Sequence, residues 1–287
     1  MALAACHPGN VEAKRLIRFC DAGDPVACNE LGQKLLKGEY VLRDEARAAT
    51  VFQQACDGRV GDGCATLGTM YQSGRGVRRD STRPPALYKR GCDLSAMNGC
   101  TQLGVLYMRG PGVTRDTARA LALFQQSCNG SDMPGCAQLG TLYASAENVA
   151  QDIAKAADLF QRSCAVKVAL GCLGLGRLHA LGSGVPRNDS IAMDLFKQAC
   201  DSSEVAGCFH LGVVHEQGRG IPQNFQRAAE LYRGACEDRY AEACYNLALL
   251  YQKGAGVYRQ PERATAFMRR ACEYGYTDAC PTRPGAS

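Results

Sequence analysis

The chain has 287 residues, 46% of them hydrophobic and 21% charged, a balance that excludes general disorder. A net charge of +5 with pI near 8.4 falls short of the clustered basic surface that nucleic-acid binding uses, and no run of about 18 apolar residues offers a transmembrane helix. Tryptophan is absent and aromatics are few, so the core must be aliphatic and small.

The first residues end in Leu3-Ala4-Ala5-Cys6, which resembles the lipobox cleaved before a lipid-bearing cysteine. The basic and apolar regions that should precede it are missing, so either a longer precursor exists or the match is chance. Cys6 is therefore a candidate lipid anchor or a free thiol within an N-terminal segment, residues 1–10. Val11 to Cys20 reads as a short helix closing the N-terminal end.

The other sixteen cysteines are Cys20, Cys28, Cys56, Cys64, Cys92, Cys100, Cys128, Cys136, Cys164, Cys172, Cys200, Cys208, Cys236, Cys244, Cys272 and Cys280, eight C-x7-C pairs recurring every 36 residues. A period of that size marks a solenoid whose units bury their apolar faces against one another. One solenoid domain is expected over residues 11–280, with seven near-complete units beginning at Asp21, Asp57, Asp93, Asn129, Ala165, Asp201 and Glu237 and a partial unit at each end. Residues 281–287 are expected to form a disordered tail.

Comparing the units shows what each position must do. Leu67 and Tyr71, three and seven residues after Cys64, share one face of a helix, here helix A, and their counterparts repeat the pattern. His179 and His215 fill the tyrosine slot in two units and read as packing residues. A glycine follows the leucine at Gly32, Gly68, Gly104, Gly140, Gly176 and Gly212, giving way to Ala248. Since helical glycine costs about 1 kcal/mol relative to alanine, close approach of a second helix is inferred.

Helix A stops at pairs such as Gly74 and Gly76. Arg75, Arg78, Arg79 and Arg83 around the same stretch read as a solvated loop. Asp44, Asp80, Asp116, Asp152, Asn188 and Asn224 then read as N-caps of a helix B. Phe52, Tyr88, Phe124, Phe160, Phe196, Tyr232 and Met268 mark its buried face. Prolines at 84 and 85 predict a late start for one helix B, and Ala144 to Asn148 an irregular loop.

Residues eight apart in one helix are about 12 Å apart, whereas a disulfide needs Cα atoms within about 7 Å. Each pair must therefore span a reversal, and turn formers such as Asp57-Gly58, Gly61-Asp62-Gly63 and Asn129-Gly130-Ser131 with Pro134 supply it. The expected disulfides staple each helix B to the following helix A, in an oxidising compartment. A reduced cytosolic protein is the alternative. Zinc ligand pairs are tighter, and neighbouring pairs here lie a repeat apart, too far to share one ion.

The run Gly63-Cys64-x-x-Leu67-Gly68-x-x-Tyr71-x-x-Gly74-x-Gly76-Val77-x-x-Asp80, with Tyr88 and Cys92 beyond, resembles the Sel-one-like repeat, a relative of the tetratricopeptide repeat. With a cysteine pair in every unit, the chain is similar to the Helicobacter cysteine-rich proteins. The resemblance implies an all-α, right-handed α/α superhelix, usually exported to the periplasm, secreted or held at the envelope as a lipoprotein, with a concave groove for a protein or peptide ligand. A monomer is expected.

Some members of that family carry a β-lactamase or penicillin-binding label, which would make a cell-wall fragment the ligand. The Ser-x-x-Lys, Lys-Thr-Gly and Ser-Asp-Asn signatures of serine β-lactamases are absent, and His215-Glu216 lacks the second histidine of a zinc protease helix because Arg219 stands there. No catalytic, metal or cofactor residue is assigned. By analogy with tetratricopeptide grooves, helix A presents Gln102, Arg109, Gln138, Arg177, His210, Asn246 and Lys253 as candidate contacts.

Overall fold

The computed structural model describes residues 8–110, 112–145 and 150–280. Among these, fifteen α-helices and no strands follow one another: α1 (Pro8–Asp21), α2 (Pro25–Lys37), α3 (Glu45–Asp57), α4 (Gly61–Ser73), α5 (Pro84–Asp93), α6 (Met97–Arg109), α7 (Thr117–Asn129), α8 (Met133–Ser145), α9 (Ile153–Ala165), α10 (Ala169–Leu181), α11 (Asp189–Asp201), α12 (Val205–Gln217), α13 (Phe225–Glu237), α14 (Ala241–Lys253) and α15 (Pro261–Glu273). A single 3-10 turn, Thr277–Ala279, ends the series. The even-numbered helices are helix A and the odd-numbered ones from α3 are helix B. Cys6 and the tail 281–287 lie outside the described residues, as does most of the Ala144 to Asn148 stretch, although α8 continues through Ser145. The first helix starts at Pro8, three residues before the expected Val11, since proline is well suited to a first turn.

Contacts sort into two compact units, one reaching Leu139 and one beginning at Gly140. Each is a helical repeat array. In the first, Leu31, Phe52, Leu67, Tyr88 and Phe124 are fully or almost fully buried; in the second, Phe160, Phe196, Tyr232, Leu247 and Leu250 take the same role.

The helical glycines have a sharper cause than helix approach. A Cβ on Gly68 would lie 2.7 Å from the Tyr88 ring, and one on Gly212 would lie 2.7 Å from Tyr232. At this register it is the aromatic ring of helix B that presses on helix A. The seventh repeat changes both partners together, to Ala248 and Met268.

All eight expected disulfides are present, from Cys20–Cys28 to Cys272–Cys280, with Cα atoms 4.5 to 4.9 Å apart. The reversal they close is shorter than the expected one: Gly58, Gly130 and Ser131 lie in it, as expected, but other expected turn formers do not. Gly61, Asp62 and Gly63 lie inside α4 and Pro134 inside α8. The chain turns on one left-handed residue just before helix A, which is Gly23 in the first clip and Gly275 in the last. In the six between, it is Arg59, Ser95, Ser131, Lys167, Ser203 and Arg239.

Opposite the clips, Gly38, Gly74, Gly110, Gly182, Gly218 and Gly254 end helix A in the left-handed region. Asp44, Asp116, Asp152, Asn188 and Asn224 then accept the backbone N–H three residues on, as N-caps should. Asp80 does not. Because the prolines delay α5 to Pro84, its carboxylate accepts from the Thr82 N–H and hydroxyl instead.

Candidate functional site

Positions two, five and nine after the helix-A cysteine carry side chains that differ from repeat to repeat. In the first unit they place Gln102 and Gln138 half-buried and Arg109 exposed at the last turn of α6. In the second they place Arg177 and Lys253 exposed, with His210 and Asn246 half-buried.

In the second unit, two cavities collect several of these positions. A cavity of about 260 Å³ opens between α8, α9 and α10, walled by Phe160, Leu170, Leu173 and Leu178. Beside it, about 250 Å³ opens between α10, α11 and α12 over Ala180, Phe196, His210 and Val213. Arg177 and Leu181 belong to both walls, and Leu181 is 71% exposed. A large apolar side chain standing in water between two apolar hollows is a feature that folding alone does not require.

Gly174 makes room for the first hollow. Other repeats carry Gln102, Gln138, His210 or Asn246 at this position, whereas a Cβ on Gly174 would meet Phe160 Cε1 at 2.5 Å. His210 floors the second. Its ring stacks on Phe196 with centroids 5.0 Å apart, and burial, assisted by the Arg177 charge, depresses its pKa to about 4. The imidazole is therefore neutral near pH 7 and can donate from one nitrogen and accept at the other.

Asn246 lies beside the Tyr232 hydroxyl, which donates to Glu216 at 2.6 Å. His179 meets the Pro186 carbonyl through Nδ1 at 3.1 Å. His215 buries an Nδ1 with no hydrogen-bond partner among the described residues, and burial followed by the nearby Arg227 charge holds its pKa down. Among the described residues, no group of three or more His, Cys, Asp or Glu side chains could hold a metal.

The structure thus brings Arg177 and His210 to one cavity. Leu181, Leu170 and Gly174 were not anticipated as site residues because the sequence reading sought polar side chains. The break in the polar series at Gly174 was the available signal.

The Sel1 repeat matches residues 25–59, 61–94, 98–132, 134–165, 169–203, 205–239 and 241–276. No curated protein matches. Among solved structures, c5321, a protective antigen of uropathogenic Escherichia coli displaying an SLR fold, is similar over 92% of this chain at 28% identity and TM-score 0.60. This chain spans only 57% of that protein. A Sel1 repeat protein from Oxalobacter formigenes is similar over 80% of this chain and 99% of its own, at 23% identity and TM-score 0.64. Helicobacter pylori cysteine rich protein B is 27% identical over 45% of this chain and 93% of its own, with TM-score 0.37.

Proposed function

Because the chain belongs to the Sel1 repeat family, a class of scaffolds for protein–protein contact, we propose that it binds a protein or peptide segment along the helix-A face of its second unit. The observation that carries this reading is the pair of apolar hollows divided by Arg177 and Leu181. Such hollows take apolar anchor side chains, while a guanidinium between them favours an acidic or carbonyl group on the ligand backbone or an intervening residue. Export to an oxidising compartment is part of the reading, since eight disulfides persist only where thiols are not kept reduced.

Selection of a displayed peptide library against the oxidised protein tests it. Enriched peptides should bind at least about tenfold more weakly to Leu181→Asp and Arg177→Glu while Lys253→Glu leaves them unaffected, the scale set by losing one buried anchor. Peptides indifferent to both substitutions would remove the assignment.

A further inference from the structure

A second site emerges from comparing one contact across repeats. The tyrosine seven residues after the helix-A cysteine recurs with a basic residue twelve positions later. Tyr71 with Arg83, Tyr107 with Arg119, Tyr143 with Lys155 and Tyr251 with Arg263 place the cation 4.8 to 5.8 Å from the ring centre. In the first three, an aspartate three residues before the cation neutralises it: Asp80 at 3.3 Å, Asp116 at 3.1 Å and Asp152 at 2.9 Å. Before Arg263 stands the uncharged Gln260, which makes no side-chain cap bond. Among the described residues Arg263 forms no ion pair.

A second guanidinium arrives at the same point. Lys89 and Lys197, the counterparts of Arg233 in two earlier helices B, pair with Asp93 and Asp201 four residues on, each at 2.7 Å. Arg233 has Glu237 at that offset, yet its Nη2 donates to the Tyr251 hydroxyl at 3.2 Å. Arg263 Nη1 donates to the same oxygen at 3.4 Å. Two cations converge on one neutral oxygen.

This oxygen lies on the wall of a cleft of about 690 Å³ between α13, α14 and α15. Tyr258, 90% exposed, stands at its rim beside Val257. Burial pushes the Tyr251 phenol up, but the hydrogen bonds and charges of Arg263 and Arg233 outweigh it and hold the pKa below the usual tyrosine value. None of Arg177, His210, Asn246 and Lys253 lines this cleft, so the site is distinct from the candidate contacts on the helix-A face.

We propose that Arg233, Arg263 and the Tyr251 hydroxyl bind a carboxylate carried by an acidic peptide or chain terminus. Guanidinium N–H pairs match the two oxygens of a carboxylate, and both cations lack the counter-charge their sister residues possess. Glu230, on the same wall and paired with Arg227 at 2.8 Å, opposes a doubly charged phosphate more than a singly charged carboxylate. The exposed Tyr258 and Val257 offer apolar surface to the remainder of the ligand.

Titration of the isotope-labelled full chain, followed at the arginine Nε–H signals, tests this. Acetyl-glutamate α-amide presents a side-chain carboxylate, acetyl-leucine a terminal one, and inorganic phosphate the competing anion. Arg233 and Arg263 should shift saturably with one or both carboxylates and more weakly with phosphate; which compound binds tighter identifies the source. Arg233→Gln and Arg263→Gln should each weaken binding about tenfold, the scale of one charged hydrogen bond. Glu230→Gln should strengthen it. No saturable shift with either carboxylate, tighter binding of phosphate, or unchanged affinity in a double Arg233→Gln/Arg263→Gln variant with an unaltered circular dichroism spectrum would overturn the site.

Discussion

Each repeat reverses direction twice, and the two reversals are built differently. Between helix B and the next helix A, as from α3 to α4, the chain turns over residues 58–60 and is clipped by Cys56–Cys64. Between helix A and helix B, as from α4 to α5, it wanders over residues 74–83 and is held by a left-handed glycine, a few hydrogen bonds and surface ion pairs such as Arg75–Glu45. The clipped reversals repeat almost without variation. The delayed start at Pro84, the missing cap carboxylate at Gln260 and the cleft at Tyr251 all fall at or beside open reversals. Covalent closure fixes the register of the array, which leaves the other end free to diversify in charge and shape.

The largest test of this comparison is reduction. Each clip closes a short loop worth about 2.6 kcal/mol in the chain-entropy model, so eight rival the net stability of about 5–15 kcal/mol of an ordinary domain. Treatment with a strong reductant should abolish cooperative thermal unfolding monitored by circular dichroism. A single Cys128→Ser/Cys136→Ser variant should lose about 2–4 kcal/mol in urea titrations. A reduced chain melting within a few degrees of the oxidised one would show that the clips matter no more than the open turns.

The helix bodies between the two ends should give the next effect. Gly68→Ala drives a methyl into the Tyr88 ring and should cost about 1–3 kcal/mol. Gly234→Ala, inside α13 with nothing within 4 Å, should instead gain up to about 1 kcal/mol. Both are read from urea midpoints.

At an open end, Asp116→Ala should cost about 1 kcal/mol by removing the cap of α7. Gln260→Asp should stabilise α15 by a similar amount while supplying Arg263 with the carboxylate its sisters have, so carboxylate binding at the Tyr251 cleft should fall.

Acid should separate the two ends most subtly. The backbone and side-chain hydrogen bonds from Lys155 hold the Asp152 carboxyl below its usual range. Its folded pKa therefore lies below the unfolded one, and its contribution is complete above the unfolded value and fades as pH falls through the folded one. Disulfides do not titrate. Hydrogen exchange at pH 3 against pH 6 should show the amides of 153–156 losing protection while those of 168–172, beside a clip, keep theirs.

The repeat architecture was legible because sixteen cysteines and a fixed series of leucines and glycines recur at one spacing, a signal that no single helix prediction could match. The late start at Pro84 was legible from ring chemistry alone. What escaped were contacts whose partners are distant in the chain. The role of Gly68 depends on Tyr88, and Gly63 looked like a turn residue although it lies in α4 facing Ala55. Arg177 and His210 could be placed on the helix-A face by counting, but Leu181 becomes informative only once Phe196 and Phe160 are seen on either side of its helix. The meeting of Arg233 and Arg263 on Tyr251 is likewise invisible until three helices are packed.

The left-handed residues at the six inner clips, Arg59, Ser95, Ser131, Lys167, Ser203 and Arg239, are all exposed and none is glycine. An L-residue held there costs on the order of 1 kcal/mol, a strain the adjoining bridge tolerates. Nothing buried depends on which side chain each carries. Each unit therefore displays a margin of interchangeable letters, one per repeat, where a lineage could rewrite outward chemistry without renegotiating the interior.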